Sequence, residues 1–337
     1  MQKKSILSLL FVMLSLSACQ PAEEATSSSI YEKLDIRLID QSERQEDIWA
    51  QAVGAMVSGT PELIASLENI SNCTGIAISQ NLVLTAGHCL QRAPFAYVFN
   101  PLKIADEAGV SRGLSLDVPE RGAVGLKYEG SLIPEAQASI ESPNWLTLVY
   151  RDSLRDFAVY RSRDPLGSTV RPLDIFAEVQ SEGELALYGF PNGTPLSVAP
   201  GCHGIAGTSG VDVWHDCDSL GGSSGALLVN LREGKPVGLH HLGGGSNRAA
   251  FYKEKGRFES PEEMAAEKAA FWKTYAQDLD WQRAKSFWNC AGPTEGRDGD
   301  LACAVARGLN RGILFKEIRD RLRAEAPELY EELRSAI

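Results

Sequence analysis

The most informative stretch of the sequence is residues 73–89, which read CTGIAISQNLVLTAGHC. Its two apolar runs predict two short strands joined by the polar turn Gln80-Asn81. A turn of small residues then presents His88. The cysteines at the two ends of the stretch can form a disulfide that joins those ends. A lone histidine is usually a structural residue, but these surroundings favour a rigidly held imidazole, which a general base requires.

A second informative stretch is residues 217–227, which read CDSLGGSSGAL. Glycines on both sides place Ser224 on a tight turn before an apolar strand, where successive backbone N–H groups can converge on one point. Such a convergence is the geometry of an oxyanion hole. Gly-x-Ser-Gly is a weak signal alone, because Gly/Ser turns are common, but it becomes strong when it follows the His88 stretch in this order.

A nucleophilic serine with a histidine base also needs a carboxylate that holds the imidazole tautomer and stabilises its charged form. We select Asp156, because it opens the apolar run DFAVY and lies between the other two stretches. Asp152 is the nearest competitor, but the residues that follow it, Ser-Leu-Arg, do not begin a strand. The alternative interpretation of Asp156 is a plain aspartate at a strand edge.

These stretches resemble those of chymotrypsin/trypsin-like serine peptidases. The run TAGHC is similar to the histidine motif of that family, and DFAV is similar to its aspartate motif. GGSSG resembles the serine motif in the form that bacterial glutamyl-endopeptidase-like members carry. Gly189-Phe190-Pro191 resembles the Gly-Tyr-Pro element that such members carry before the serine. The resemblance covers about residues 47–250 and leaves both ends of the chain outside.

The resemblance implies a mainly β fold of two six-stranded antiparallel β-barrels, with the site in the cleft between them. Ser224 would be the nucleophile, His88 the general base and then the acid, and Asp156 the orienting carboxylate. The backbone N–H groups of Gly222 and Ser224 would form the oxyanion hole. This chemistry needs no metal or organic cofactor, and the partner would be a peptide or protein substrate.

Two residues of the expected substrate pocket point to opposite substrate charges. Asp218 lies six residues before Ser224, where trypsin-like members carry the aspartate that selects Arg or Lys. His240 resembles the histidine with which glutamyl endopeptidases hold a carboxylate. Structural roles are the alternative for both residues. Asp218 would accept a hydrogen bond within its loop, with a disulfide at Cys217 turning its side chain away from the pocket. His240 would be a buried strand residue. We expect the pocket to contain Asp218, Ser219, His240 and Gly243.

The N-terminal residues predict an export signal of the bacterial lipoprotein type. Two early lysines form a positive n-region, and the apolar stretch 6–14 is too short for a membrane-spanning helix. Leu-Ser-Ala then precedes Cys19, and small residues before a cysteine resemble the lipoprotein cleavage box. We predict a signal peptide at residues 1–18 and a lipidated N-terminus and tether at residues 19–46. The alternative is an ordinary signal peptide with an incidental cysteine.

The residues around the lipid site and the serine have two further implications. Gln20 after the cysteine favours anchoring in the outer membrane by the sorting rule of such lipoproteins, with the lipid as the membrane contact.

Animal digestive peptidases carry, directly before the serine, an aspartate that pairs with a new N-terminus on activation, but this chain has Ser223 there. Because an acylated Cys19 also leaves no free N-terminal cation, we expect activity without proteolytic activation.

Six cysteines remain when Cys19 is assigned to the lipid, and an even set in an exported chain indicates disulfides. Six cysteines allow 15 pairings. Pairing of sequence neighbours would give Cys73–Cys89, Cys202–Cys217 and Cys290–Cys303. Each bridge would close a loop of roughly 15 residues, worth about 3 kcal/mol. A zinc site is the weaker alternative, because the chain has no Cys-x-x-Cys pair and its histidines lack ligand spacing.

The chain has 337 residues, 44% of them hydrophobic, and a formal net charge of -11. This is a globular composition, and the acidic balance argues against a nucleic-acid-binding surface. Short strands separated by turn residues run through residues 47–253, which we take as the peptidase domain. The clearest strand patterns are at residues 52–57, 75–78, 82–84, 147–150, 157–160, 185–188, 226–229 and 237–239. Helical spacing predicts an α-helical extension at residues 254–337, with helices from Ser260, over 301–324 and over 327–336.

Three functions compete on this basis. The first is a cell-envelope serine endopeptidase that works through a Ser-His-Asp triad and an acyl-enzyme. The second is a catalytically inactive peptidase-like binding or scaffold lipoprotein, which the presence of all three triad members disfavours. The third is an esterase of the α/β-hydrolase type, which would require the order Ser, acid, His that this chain does not follow.

Overall fold

The computed structural model describes residues 35–39, 41–58, 73–89, 144–207, 210–243 and 310–336, and five strands between residues 95 and 134. The described strands are β1 Arg37–Leu38, β2 Val53–Ser58, β3 Cys73–Ala77, β4 Leu82–Ala86, β5 Phe95–Val98, β6 Leu102–Ile104, β7 Leu114–Asp117, β8 Gly125–Tyr128, β9 Leu132–Pro134, β10 Asn144–Asp152, β11 Phe157–Ser162, β12 Gly183–Gly189, β13 Ser197–Ala206, β14 Asp212–His215, β15 Leu227–Asn230, β16 Lys235–Leu242 and β17 Asn310–Leu314. The described α-helices are α1 Gln41–Glu46, α2 Phe315–Glu325 and α3 Pro327–Ser335.

Six antiparallel strands close into a first barrel in the order β10-β11-β4-β3-β2-β5. Every residue of β3 and β4 is buried. Burial on both faces explains why these strands read as nearly continuous runs of small and apolar residues instead of an alternating pattern. Two short antiparallel pairs, β6 with β9 and β7 with β8, lie in sequence between β5 and β10.

The second sheet runs in the order β1-β13-β12-β15-β16-β17-β14. Its strand β14 also pairs with the end of β13, so six strands form a closed circuit. The strand β1 pairs with the start of β13. The mainly β fold with two six-stranded antiparallel barrels and C-terminal helices is therefore confirmed, and each of the clear strand patterns in the sequence overlaps a described strand.

The helical prediction for residues 301–324 is wrong at residues 310–314, which form β17. This strand pairs with β14 on one side and β16 on the other, and without it the second barrel would be open. Its Gly312 fits against the neighbouring strand, because a Cβ there would lie 3.0 Å from the carbonyl oxygen of Leu239. Part of the predicted extension therefore belongs to the second barrel, which local helical spacing did not reveal.

The last two helices agree with the sequence prediction. Helix α2 follows β17 directly, and helix α3 begins after Ala326. Both bury their apolar faces in a core that also contains residues of the first barrel. These buried residues are Phe315, Ile318, Leu322, Leu329, Tyr330 and Leu333. The predicted helix from Ser260 and the other predictions for residues 254–309 lie outside the described residues.

Candidate active site

His88 is held at the end of β4 by its neighbours in the chain and by the first barrel. A 3₁₀ turn, Gly87–Cys89, follows the strand, and a disulfide joins Cys89 to Cys73 at the start of β3. The backbone N–H of His88 donates to Oδ1 of Asp156 over 2.8 Å. The N–H of Gly87 donates to the carbonyl of Asp156 over 2.9 Å. The backbone of His88 is thus held in place independently of the contacts of its ring.

Asp156 receives hydrogen bonds from two histidines. Its Oδ2 lies 2.9 Å from Nδ1 of His88 and 3.1 Å from Nδ1 of His241. Burial alone would raise the pKa of this carboxyl group, but the hydrogen bonds from His241 and His88 outweigh it and lower the pKa well below the usual range. The carboxylate is therefore ionised throughout the neutral range and orients the imidazole of His88.

Ser224 lies on the turn before β15 and meets His88 across the cleft. Its Oγ is 2.8 Å from Nε2 of His88. The carbonyl of Ser224 accepts from the N–H of Thr74, in β3, over 2.7 Å. The next residue, Gly225, has φ of 87°, and a Cβ there would lie 2.0 Å from the carbonyl oxygen of Thr74. Only glycine fits at this close approach of the two barrels.

The loop before Ser224 packs against the Gly189-Phe190-Pro191 element. Gly222 has φ of 93°, and a Cβ there would lie 2.5 Å from the carbonyl oxygen of Phe190. The hydroxyl of Thr74 connects the two segments, since it donates to the carbonyl of Gly222 over 2.9 Å and accepts from the N–H of Phe190 over 3.0 Å. No described residue accepts from the N–H groups of Gly222 and Ser224.

The structure also reveals a contributor that the sequence analysis missed, His241. It lies in β16 and is buried. Beyond it, Nε2 of His241 is 3.9 Å from Oδ1 of Asp212, whose other oxygen is paired with Arg311 of β17. The signal in the sequence was the doublet His240-His241, which places a second histidine directly after the one predicted for the pocket.

His240 lies inside the second barrel and pairs with another histidine. Its Nδ1 is 3.1 Å from Nε2 of His215, which lies in β14. Burial, and then the neighbouring His241, lowers the pKa of His215 to about 3. Burial, and then the neighbouring His215, lowers the pKa of His240 well below its usual value. Both imidazoles are therefore neutral at pH 7, and each can donate only one ring proton.

Asp218 lines a small cavity, but its carboxylate is engaged by the chain itself. Its Oδ2 accepts from the backbone N–H of Asp35 over 2.8 Å, and its side chain is buried. The disulfide Cys202–Cys217 immediately precedes it. Of the other residues predicted to line the pocket, Ser219 is buried with no described partner for its hydroxyl, and Gly243 is a buried residue directly after β16.

Asp152, the competitor of Asp156, has a different position. It ends β10 opposite Phe157, and its Oδ2 accepts from Nε of Arg321, in α2, over 2.8 Å. The structure therefore places Asp156 against His88, and Asp152 against the C-terminal helix. Of the remaining predicted residues, Cys19, Cys290 and Cys303 lie outside the described residues.

Two further features concern ligands and membranes. Within the described residues, one group of side chains has metal-ligand spacing, Cys73 with His88 and Cys89, but the two cysteines are joined in a disulfide and offer no thiolate.

Among the described helices, none combines the length and the apolar character that a membrane crossing requires.

Comparisons with known proteins give one family match. The family of trypsin-like peptidase domains matches residues 73–239. This match supports the prediction that the chain is a chymotrypsin/trypsin-like serine peptidase. No curated protein matches the chain significantly.

Solved structures similar to this chain include two bacterial proteases. The serine endoprotease from Yersinia pestis has 20% sequence identity and a TM-score of 0.36, with 59% of this chain and 56% of that chain covered. This chain therefore spans just over half the length of that protein. The Rv3671c protease from M. tuberculosis, in its active form, has 16% identity and a TM-score of 0.34, with 60% of this chain and 77% of that chain covered.

The buried histidines predict that the protein loses stability in mild acid. The pKa values of His215, His240 and His241 are all lowered in the folded protein, with burial as the first cause. As the pH falls below about 6.5, the unfolded chain therefore takes up protons that the folded protein refuses. Each histidine then lowers the free energy of unfolding by up to about 1.4 kcal/mol for each pH unit of acidification.

Urea unfolding between pH 7.5 and pH 4.5 measures this loss. The carboxylate of Asp156 also contributes stability that is lost in acid. Because its pKa is lowered in the folded protein, this contribution is lost at a lower pH than that of the histidines. His215→Gln removes one of the three groups and should flatten the pH dependence, whereas His203→Gln, at an exposed position, should not. An unfolding midpoint that stays constant over this range would contradict the prediction.

Proposed function

We propose that this protein is a serine endopeptidase that cleaves peptide bonds through a Ser-His-Asp triad and an acyl-enzyme. One observation carries the proposal: His88 lies between Ser224 and Asp156, with Nε2 2.8 Å from the serine Oγ and Nδ1 2.9 Å from the carboxylate. With the proton on Nδ1 directed to the carboxylate, Nε2 faces the hydroxyl as a base.

The first half of the reaction forms the acyl-enzyme. Nε2 of His88 takes the proton of the Ser224 hydroxyl as its Oγ bonds to the scissile carbonyl carbon. The carbonyl oxygen becomes an oxyanion, which the N–H groups of Gly222 and Ser224 stabilise. The imidazolium then gives the proton to the leaving amine as the C–N bond breaks. The carboxylate of Asp156 stabilises the imidazolium throughout this half-reaction.

The second half regenerates the enzyme. His88 now takes a proton from water, whose oxygen attacks the acyl carbon, and it returns that proton to Oγ of Ser224 as the ester bond breaks. The imidazole must be reached by water and substrate, and 43% of the His88 side chain is exposed. His241 supports both halves as a positioning residue, because it keeps Oδ2 of Asp156 in place from the second barrel.

The loop around Ser223 supports activity without proteolytic activation. The N–H of Leu220 donates to the hydroxyl of Ser223 over 3.2 Å, and the N–H of Ser223 donates to the carbonyl of Leu220 over 2.9 Å, so the loop is closed on itself. The segment before α1 reinforces it, since Asp35 donates to Asp218 through an internal backbone N–H. Such a bond needs no free N-terminal amine.

The central test uses a soluble form that begins at Gln20. A fluorophosphonate probe should label it at Ser224 without any prior cleavage, and the same preparation should hydrolyse a peptide library. Ser224→Ala should lose labelling and lower kcat by about 10⁴- to 10⁶-fold, because the nucleophile is removed.

The same measurement separates the enzyme from the inactive scaffold. His203→Gln replaces an exposed histidine of β13 and should keep full activity, which controls for handling of the variants. A folded wild type that neither labels nor hydrolyses would favour the binding or scaffold lipoprotein. Labelling that appears only after cleavage between residues 45 and 55 would refute direct activity.

We further infer that the residue before the cleaved bond is acidic, as in glutamyl endopeptidases. The carboxylate of Asp218 is already engaged by Asp35, which weakens the case for recognition of Arg or Lys. His240 has Nδ1 bound to His215, and this pairing leaves Nε2 as the ring nitrogen that can bind a substrate. A proton on Nε2, with Nδ1 accepting from His215, provides one donor for a carboxylate.

His240→Leu tests this specificity. The variant should lower kcat/KM for a substrate with Glu before the cleaved bond by about 10- to 100-fold, since a hydrogen bond to a charged group is lost. It should change kcat/KM for the matched Gln substrate much less. Asp218→Ser serves as the comparison, and we expect it to keep the preference. Cleavage after Arg or Lys that disappears in Asp218→Ser would instead assign specificity to Asp218.

We also propose that the protein is an exported lipoprotein, anchored through Cys19 in the outer membrane. The support is the signal-like pattern of residues 1–19, together with two disulfides, which form in oxidising compartments. Cys19→Ser should move the protein from the membrane fraction to the soluble fraction without loss of peptidase activity. Membrane retention of this variant, with the wild type as control, would disprove the lipid anchor.

A further inference from the structure

The turn that presents Asp156 has an unfavourable backbone conformation. Asp156 has φ of 58°, in the left-handed region that residues other than glycine adopt rarely. The turn comprises residues 153–156, and the antiparallel pair of Asp152 with Phe157 closes it. A conformation of this kind persists only where surrounding contacts hold it. The contacts around the turn therefore decide where the carboxylate of Asp156 lies.

Asp152 holds the turn from its base. Its Oδ1 accepts from the N–H groups of Leu154 and Arg155, over 2.8 and 2.9 Å, in the manner of an Asx turn. The Asp152 side chain is only 3% exposed, so its second oxygen also needs a donor. That donor is Nε of Arg321, 2.8 Å away in α2. The shape of the turn thus depends on a residue from the other end of the chain.

One face of α2 lies along the β10–β11 hairpin. Glu317, Arg321 and Glu325 follow each other at four-residue spacing and so share this face. Oε1 of Glu317 is 2.9 Å from Nε of Arg155, which lies in the turn itself. Oε2 of Glu325 accepts from the hydroxyl of Tyr150 over 2.6 Å. We call Glu317, Arg321 and Glu325 the charged stripe of α2.

The helix that carries the charged stripe is itself fixed in place. The residues Phe315, Ile318 and Leu322 of α2 are buried in the core. The helix also continues directly from β17, which pairs with β16. Strand β16 carries His241, whose ring holds Oδ2 of Asp156. The C-terminal segment formed by β17 and α2 therefore contacts the turn through α2 and lies beside β16 through β17.

We propose that the charged stripe of α2 positions Asp156 for catalysis, with Arg321 as the main positioning residue. This inference rests on the peptidase function proposed above. Arg321 acts through Asp152 and the turn, and it does not take part in the bond-making steps. Without it, the buried carboxylate of Asp152 loses its side-chain donor, the turn relaxes, and Asp156 moves out of line with His88.

The kinetic test compares variants of the full chain. Arg321→Gln should lower kcat by about 10-fold or more with KM within about twofold, because the turn affects the reacting groups and not substrate binding. Arg321→Lys keeps a cationic donor and should recover part of the loss. Lys316→Gln is the matched control, since it removes an exposed ion pair of the same helix, with Asp320, that does not touch the hairpin. Rates are expressed per site titrated by fluorophosphonate, so that unfolded protein is not counted.

A second measurement does not depend on turnover. The hydrogen bond from Nδ1–H of His88 to Asp156 should give a downfield proton resonance in the NMR spectrum. This resonance should shift or broaden in Arg321→Gln and stay unchanged in Lys316→Gln. An unchanged resonance and kcat in Arg321→Gln, or equal losses in both variants, would overturn the positioning role. A wild type with the resonance but without hydrolysis or labelling would overturn the peptidase function, and the resonance would still decide the role of Arg321.

Discussion

The carboxylate of Asp156 is the point on which the candidate site depends. Its Oδ1 accepts from the backbone of His88, and its Oδ2 accepts from the rings of His88 and His241. These bonds come from both barrels, since His88 follows β4 and His241 lies in β16. A buried carboxylate without such donors would be costly. Here the donors lower its pKa, and the charge in turn aligns the imidazole with Ser224.

The two halves of the site are joined by a second set of contacts centred on Thr74. This residue of β3 donates through its backbone to Ser224 and through its hydroxyl to Gly222. Glycine at position 225 lets the backbones approach closely enough for these bonds. Ser224 and His88 therefore belong to different barrels, but both are linked to β3, Ser224 through Thr74 and His88 through the Cys73–Cys89 disulfide. A rigid connection of this kind is what places reacting groups before substrate arrives.

The parts of the site that the sequence predicted are those encoded in short contiguous motifs. His88 and Ser224 stand in runs whose turn residues reveal their local geometry, and the Cys73–Cys89 and Cys202–Cys217 pairings join neighbours in the chain. Asp156 was harder, because its motif is short and Asp152 competes with it. The contacts that separate the two aspartates come from distant segments, His88 and His241 for Asp156 and Arg321 for Asp152.

The parts that were missed depend on contacts between distant segments. Residues 310–314 were interpreted as helix because they adjoin a helical pattern, and only their pairing with β14 and β16 makes them a strand. The bond from Asp35 to Asp218 is similar, since nothing near either residue indicates the other. Propensity and periodicity report on local preference, whereas the tertiary partner decides these cases.

The position of β17 in the chain has a consequence for biosynthesis. A ribosome delivers residues in order, so the strands that flank β17 are made long before it emerges. Until then β14 and β16 have no shared partner, and the long intervening chain must be brought round at an entropic cost that slows assembly. His241 lies on β16, one of the two strands with which β17 pairs. The second barrel, and with it the site proposed above, is therefore complete only once the C-terminal segment has been made.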